Sequence, residues 1–367
     1  MKWERDLMIK KRIAVLFGGA STEHEVSRMS AASILRNIPQ NKYDVIRIGI
    51  SKEGRWYLYN GSVDSILDGT WEQHPDNLPA FLSPDTGVHG LIVLRGAEYE
   101  ILPLDGVVPV LHGKNGEDGT VQGLLQLAGI PYVGCDATSS AACMDKVITN
   151  VMLQYAGIPQ AKFTWLYRSE LEKDPAAAAE KVETELKEYP VFVKPANAGS
   201  SVGVSKASNR EELIAAMRKA AKEDRKILIE ENIVGQEVEC AVLGNDVPSA
   251  SQVGEIAPSS DFYDYDDKYV NGTSLLYIPA HIDEETSEKL RQRALNAYRV
   301  MGCSGLARVD FFVRSSDKEV LLNELNTLPG FTPISMYPKL MEAEGVSIED
   351  LIDKLITLGF ERAEQHD

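Results

Sequence analysis

Short apolar runs separated by longer amphipathic stretches set the rhythm of this chain. The run 13–17 (IAVLF) reads as a strand that ends in Gly18-Gly19 and leads into a helix. Thr22 with Glu25 three residues on is a capping-box pattern, so that helix is expected to start near Thr22. Strands follow at 43–50 and 106–111, then a loop 112–119 (HGKNGEDG) and a helix over 120–128. Strands alternating with helices predict an open parallel sheet whose ligands sit at the carboxyl ends of its strands. Residues 55–105 read only as short strands and loops. Beyond PYVGC (131–135) the composition changes. Helical patterns cover 139–157, 169–189 and 209–222, and strands are expected at 161–166, 191–194 and 227–231. Further strands fall at 236–245 and 275–281, with a loop of lid length at 258–273 between them. A helix over 284–300, a hairpin, a turn and a terminal helix over 348–356 with a charged tail complete the chain.

The hairpin carries the most chemistry. The runs 306–314 (LARVDFFVR) and 319–326 (EVLLNELN) flank a polar turn. Strand side chains alternate faces, so Arg308 and Asp310 share one face and Glu324 and Asn326 share one face of the partner. Folding about Asp317 sets Asp310 opposite Glu324 and Arg308 opposite Asn326. Cross-strand Arg–carboxylate pairs also occur on ordinary solvated hairpins. Here, however, the polar residues gather away from the turn, and two facing carboxylates repel unless a cation lies between them. Hard oxygen donors of this kind suit Mg²⁺ bound jointly by protein and substrate phosphates. The working hypothesis is a magnesium–nucleotide site.

Bulk properties narrow the classes. A chain of 367 residues suggests two or three domains, and 44% hydrophobic with 25% charged residues is ordinary for a globular protein. A formal net charge of −17 argues against a nucleic-acid or anionic-membrane partner, since either needs a basic surface. No apolar run reaches the ~18 residues of a membrane span, and the first residues lack the apolar core of a secretory signal, so the cytoplasm is expected. Cys135, Cys143, Cys240 and Cys303 have no C-x-x-C spacing and read as reduced core residues.

An acidic protein that takes a nucleotide must concentrate its cations. The segment 195–203 (PANAGSSVG) can fold its N–H groups around an anion, although a plain hairpin turn would look similar. Lys194 precedes it directly, and Lys146 follows the junction after PYVGC. Two lysines, a Gly/Ser flap and the hairpin face make a triphosphate cradle. His112 stands at the end of a strand, where a site and a simple polar loop are both reasonable readings. Glu23 and Glu25 could serve only to complement a helix dipole.

The segments FGGASTEHEVS (17–27), LHGKNGEDGTVQG (111–123), MDK (144–146), VKPANAGSSVGV (193–204), YDYDDKY (263–269), ARVDFF (307–312) and NELNTLPGFT (323–332) occur in one order. In that order the chain resembles the D-alanine–D-alanine ligases of the ATP-grasp superfamily over nearly its whole length. The resemblance implies an α/β chain (α+β overall) of three domains: an N-terminal α/β domain with an open parallel sheet (1–134), a central ATP-grasp domain (135–231) and a C-terminal ATP-grasp domain (232–367). It implies phosphorylation of one D-alanine by ATP and attack by a second on the acyl phosphate, supplying a peptidoglycan precursor.

Residue by residue, the resemblance makes Asp310, Glu324 and Asn326 ligands of two Mg²⁺ ions, with Mn²⁺ able to substitute. Arg308 and the Gly330 N–H would stabilise developing negative charge. Lys146, Lys194, Ser201, Lys268, Phe262, Asn323 and Glu324 would contact ATP. Glu230 and Glu237 would read the adenine amino group and ribose, with Asn232 and Ile233 at the adenine edge through backbone groups. Glu23 would meet the ammonium of the first D-alanine, with His112 nearby, and Ser335 and Met336 the carboxylate of the second. Glu23, Ser200 and Tyr269 would latch the lid and keep water from the intermediate. Tyr269 favours D-alanine over D-lactate as acceptor; D-serine stays open. A homodimer formed through the N-terminal domain is implied too. The competing class is a catalytically silent ATP-binding protein on the same fold.

Overall fold

The structure is a computed structural model that describes residues 10–257 and 275–366. Among these, three sheets carry the fold. The first contains β1 (Lys11–Gly18), β2 (Tyr43–Ile50), β3 (Trp56–Leu58), β4 (Leu78–Leu82), β5 (Gly90–Arg95), β6 (Glu98–Pro103) and β7 (Gly106–Val110), in the order β6-β5-β4-β3-β2-β1-β7. Only β2–β1–β7 pair in parallel; the remaining pairs are antiparallel, so the sheet is mixed rather than parallel throughout. The cause is connection length. The helix His24–Asn37 crosses over between β1 and β2, as parallel strands require, whereas β5 and β6 are separated by only two residues.

The second sheet, β8 (Phe163–Tyr167), β9 (Val191–Pro195), β10 (Ser205–Ala207) and β11 (Lys226–Glu231), runs β10-β9-β11-β8 and is antiparallel. Its core takes Ala179 and Val182 from the helix Pro175–Leu186 and Leu213 and Met217 from Arg210–Glu223. The third sheet contains β12 (Gly235–Leu243), β13 (Ser249–Ala257), β14 (Leu275–Tyr277), β15 (Leu306–Arg314) and β16 (Val320–Asn326), in the order β14-β13-β12-β15-β16. The helix Glu284–Val300 covers it through Leu290, Ala294 and Ala297.

Several boundaries differ from expectation, each for a local reason. The first helix begins at His24 without the Thr22 capping box: Glu23 holds the cap position with no side-chain cap, and the Glu25 carboxylate the box needs pairs with Lys52 instead. The helix expected over 139–157 breaks at Asp145. That residue ends Ala137–Met144 and caps Lys146–Tyr155 by accepting from Val147 N and Ile148 N, both at 3.1 Å. The one over 169–189 breaks at Asp174-Pro175, where Asp174 caps a new start with Pro at its first position. The strand expected over 275–281 is described only as Leu275–Tyr277, and β13 was not anticipated. The stretch read as a turn after the hairpin contains a helix, Met336–Ala343, and the charged tail continues the terminal helix, Ile348–His366.

That last helix returns to the first sheet. Leu351, Ile352 and Leu355 share a core with Ile13, Val15 and Phe17, and Tyr43 Oη donates to Asp353 at 2.8 Å. The buried Arg362 guanidinium binds Gly134 O and, at 3.0 Å, Tyr132 O, fixing the crossing from the first sheet to the rest. The four cysteines are buried free thiols, as expected. No helix among the described residues is long and apolar enough to cross a membrane.

Candidate active site

Where the sheets and their connecting loops meet, a cavity of about 780 Å³ opens. One wall is the β15–β16 hairpin. Its register sets Asp310 opposite Glu324 and Arg308 opposite Asn326, as the alternation predicted, but shifts by one residue between Asp310 and Phe311. The extra residue falls at Asn323, and such a bulge re-aims side chains. Asn323 and Glu324 consequently both line the cavity.

Arg308 grips Asp310 as a fork, Nε to Oδ1 at 2.8 Å and Nη2 to Oδ2 at 2.7 Å, and Asn326 Nδ2 adds a third bond to Oδ2 at 3.0 Å. Burial works against the charge on Arg308. Asp310, Glu239 and Glu324 outweigh it and hold the guanidinium well above its usual range. Glu239, on β12 directly across from Asp310, lies 3.0 Å from Arg308 Nε.

The opposite wall supplies lysines. Lys194, at the end of β9, pairs with Glu230 of β11 at 2.6 Å and reaches Asn323 Oδ1 at 3.4 Å. Burial lowers its basicity, but Glu230, Glu324 and Glu237 more than restore it, so it stays protonated. Lys146 opens a helix with its Nζ on Ala198 O at 2.8 Å and 3.8 Å from Glu324. The Gly/Ser loop between β9 and β10 carries Ser200 and Ser201 in the left-handed region, at φ 49° and 60°. Its root is tied down by Asn197, whose backbone N–H and Nδ2 reach Asp224 at 2.9 and 2.7 Å.

Three loops converge on Glu23. Ser200 Oγ donates to its carboxylate. A Cβ at Gly113 or at Gly199 would lie 2.3 or 2.6 Å from Glu23 Oε2, so both neighbours must be glycine for the carboxylate to sit there. His112 is buried beside it, with Nδ1 3.1 Å from Leu328 O and Nε2 3.1 Å from Ser30 Oγ. Ser30 Oγ also accepts from Phe331 N at 3.1 Å, so His112 braces the loop that carries Gly330.

Ser335 precedes the helix Met336–Ala343, whose N-terminus faces the cavity, and its Oγ accepts from Thr332 N at 3.0 Å. The Met336 side chain belongs to the core, and the residue also lines the cavity. Glu230, Asn232, Ile233, Glu237, Ser201 and Gly330 also line the cavity. Asp310 does not itself line the cavity and accepts from Arg308 and Asn326, which do. Phe262, Lys268, Tyr269 and the lid 258–273 lie outside the described residues.

Three side chains escaped the reading from sequence. Glu239 alternates with Glu237 on one strand face, a signal that was there to be used. Glu117 accepts from Gly113 N at 2.7 Å, and Asn150 donates to buried Glu230 at 3.0 Å; neither has a local pattern to announce it. Among the described residues no three His, Cys, Asp or Glu side chains form a metal cage. Asp310, Glu324 and the Asn326 amide oxygen are nonetheless hard donors of the kind magnesium takes, and they would leave the rest of its shell to phosphate oxygens.

Residues 12–135 match the family described as the D-ala D-ala ligase N-terminus, and residues 152–357 the one described as the D-ala D-ala ligase C-terminus. The D-alanine--D-alanine ligase of Acetivibrio thermocellus is 52% identical over 366 residues, covering 96% of this chain and 96% of that protein. The one from Caldicellulosiruptor bescii is 50% identical over 358 residues, covering 98% and 97%. Among solved structures, the VanG D-Ala:D-Ser ligase from Enterococcus faecalis superposes with a TM-score of 0.87 at 45% identity, covering 96% of this chain and 100% of that one. The D-alanine-D-alanine ligase from Coxiella burnetii gives 0.84 at 35% identity, covering 97% of each.

His112 provides a pH signature of this geometry. Burial depresses its pKa, but the hydrogen bond and charge of Glu117, with Glu23 behind, carry it above the ordinary 6.5. A raised folded pKa contributes stability that is complete below about pH 6.5 and is lost as pH climbs through the folded value. The difference in thermal midpoint between the parent and His112→Gln is therefore expected to be larger at about pH 6 than at about pH 9. A difference that is flat or grows with pH would contradict the assignment.

Proposed function

We infer the reaction from one premise: this chain belongs to the D-alanine–D-alanine ligase family, its two matched segments spanning most of its length. The cavity joins two molecules of D-alanine into D-alanyl-D-alanine at the expense of ATP, in the cytoplasm, as a step toward peptidoglycan. The observation that carries this reading is the convergence of Arg308, Lys146 and Lys194 with Glu23–Ser200 around one cavity. Three domains, bounded near 134/135 and 231/232, supply its walls.

A carboxylate resists attack until one oxygen becomes a leaving group. The first D-alanine places its ammonium at Glu23 and its carboxylate toward the γ-phosphate. Lys146 and Lys194 align the phosphates beneath the loop carrying Ser201, with Asn323 and Glu324 beside them. Glu230 and Glu237 take the adenine amino group and ribose, and backbone groups of Asn232 and Ile233 take the adenine edge. Asp310, Glu324 and the Asn326 oxygen would hold Mg²⁺ (two ions, with Mn²⁺ able to substitute), which neutralises phosphate charge when bound.

A carboxylate oxygen then takes the phosphoryl group, releasing ADP. The second D-alanine, its carboxylate at Ser335 and the Met336 N–H, gives up an ammonium proton and attacks the carbonyl carbon. Arg308 and the Gly330 N–H stabilise the oxyanion, and collapse expels phosphate and forms the peptide bond. Holding both amino acids and ATP together turns rare collisions into one oriented event.

A D-serine acceptor is the second reading, favoured by the likeness to a D-Ala:D-Ser ligase. The decisive assay supplies ATP with D-alanine and equal D-serine and D-lactate, measures phosphate release, and identifies the product. D-Alanyl-D-alanine is expected to dominate, with little phosphate released on L-alanine. A mixed D-alanyl-D-serine product would favour the second reading, and absence of any ligated product would end both.

Glu324→Ala removes an oxygen donor at a half-buried position rather than core packing. Turnover is expected to drop by roughly 10²-fold or more with the thermal midpoint little changed; near-parent activity would refute the metal assignment. For the homodimer, support comes from the stripe Ile148, Val151, Met152 and Tyr155, at helical spacing and 41–93% exposed, with Leu127 also exposed. Light scattering is expected to return twice the 40.4 kDa of one chain; a monomer mass would remove this proposal.

A further inference from the structure

Asp310 has no acceptor capacity to spare once a metal binds. Its carboxylate already accepts two bonds from Arg308 and one from Asn326. Two oxygens offer about four lone pairs. In the proposed reaction Asp310 also donates to magnesium, and charge given to a cation is withdrawn from its hydrogen bonds. If Asp310 alone held Arg308, metal binding would loosen the guanidinium just when its aim matters.

Glu239 resolves the conflict from the other side. In register, Glu239 of β12 stands opposite Asp310 of β15, which stands opposite Glu324 of β16. Opposed residues in antiparallel strands share a face. Three carboxylates therefore form a row, with Asp310 between the other two. Glu324 is on the side facing Lys146, while Glu239 is on the far side, buried at 5% exposure and 3.0 Å from Arg308 Nε.

We propose that Glu239 is a positioning residue for Arg308, a second anchor on a neighbouring strand that keeps the guanidinium aimed into the cavity while Asp310 is shared. This rests on the ligase reading above. A merely structural ion pair would show itself in fold stability and in every binding constant alike. A positioning role shows itself in kcat, because Arg308 acts on charge that develops during reaction rather than on bound nucleotide.

The test compares the parent with Glu239→Gln and Glu239→Leu, similar in volume. The Nε–H donates to Asp310 Oδ1, and Glu239 stands 3.0 Å away as an ion-pair partner; Gln keeps an oxygen to which that N–H can turn when Asp310 is shared, and Leu does not. In Glu239→Leu, kcat is expected to fall by roughly 10- to 100-fold, the scale of a misaimed catalytic group. In Glu239→Gln the fall is expected to stay within about fivefold, the acceptor being kept and only its charge lost. KM for ATP, and MgADP affinity by calorimetry, are expected to stay within about twofold for both, since neither reports on developing charge. Glu239→Leu within about twofold of parent kcat overturns the inference. So does a joint fall of both variants with weakened MgADP binding, or a Glu239→Leu chain that fails to fold, because each makes Glu239 a stability residue. A parent that makes no dipeptide would sink the ligase reading itself; an active parent with an unimpaired Glu239→Leu sinks only this inference.

Discussion

A buried guanidinium is tolerated only while its charge is matched, and much of this site follows from that constraint at Arg308. Its two bonds to Asp310 are charge-assisted and bidentate, the strong form of the contact. Removing either partner would strand a charge in a partly dehydrated wall, which is far costlier than the pair is worth. The pair fixes a side-chain direction that neither residue would hold alone. The wall is correspondingly rigid: β15 is flanked by β12 and β16, and its other face is packed with Val309, Phe311 and Val313. The bulge at Asn323 then turns Asn323 and Glu324 toward the same space.

Against that fixed wall the remaining groups arrive on loops and strand ends, each with its own tether. The Gly/Ser loop is anchored at its root rather than its tip. Asn197 binds Asp224 and approaches Asp145 at 3.4 Å, and Asp145 pairs with Lys226 at 2.5 Å while capping the helix that starts with Lys146. Lys146 and the Gly/Ser loop thus share one foundation. At its tip the loop is held in left-handed backbone at two serines, a conformation that carries strain for residues with a Cβ. The Ser200–Glu23 contact helps offset it.

The hairpin was legible because period-two alternation survives translation into structure: the pairing Asp310–Glu324 and Arg308–Asn326 follows from counting along two strands. The mixed first sheet was less so. Its parallel trio betrays itself as apolar runs with a crossover helix, but the short strands between residues 55 and 105 pair by proximity, which composition does not encode. Helix breaks at Asp145 and Asp174 could have been read, since each is a capping residue at a start signal that a longer amphipathic pattern concealed. Met336 shows the reverse difficulty. Its side chain serves the core although the residue lines the cavity, and a sequence names residues, not the two settings one of them can serve. Asn150 on Glu230 is purely tertiary and left no trace.

Charge distribution connects the site to its cargo. A chain of net charge −17 repels a polyanion overall, and its cavity cations do not stand idle: Lys194 is engaged by Glu230, Arg308 by Asp310 and Glu239, and Lys146 lies near Glu324. A bare triphosphate would have to displace these carboxylates and leave them unpaired beside its own charge. Delivered together with a divalent cation, the same triphosphate lets the partners exchange instead. In the proposed reaction phosphate oxygens would take the lysines, Asp310 and Glu324 would take the cation, and Glu239 would stay with Arg308, so each charge would keep a partner.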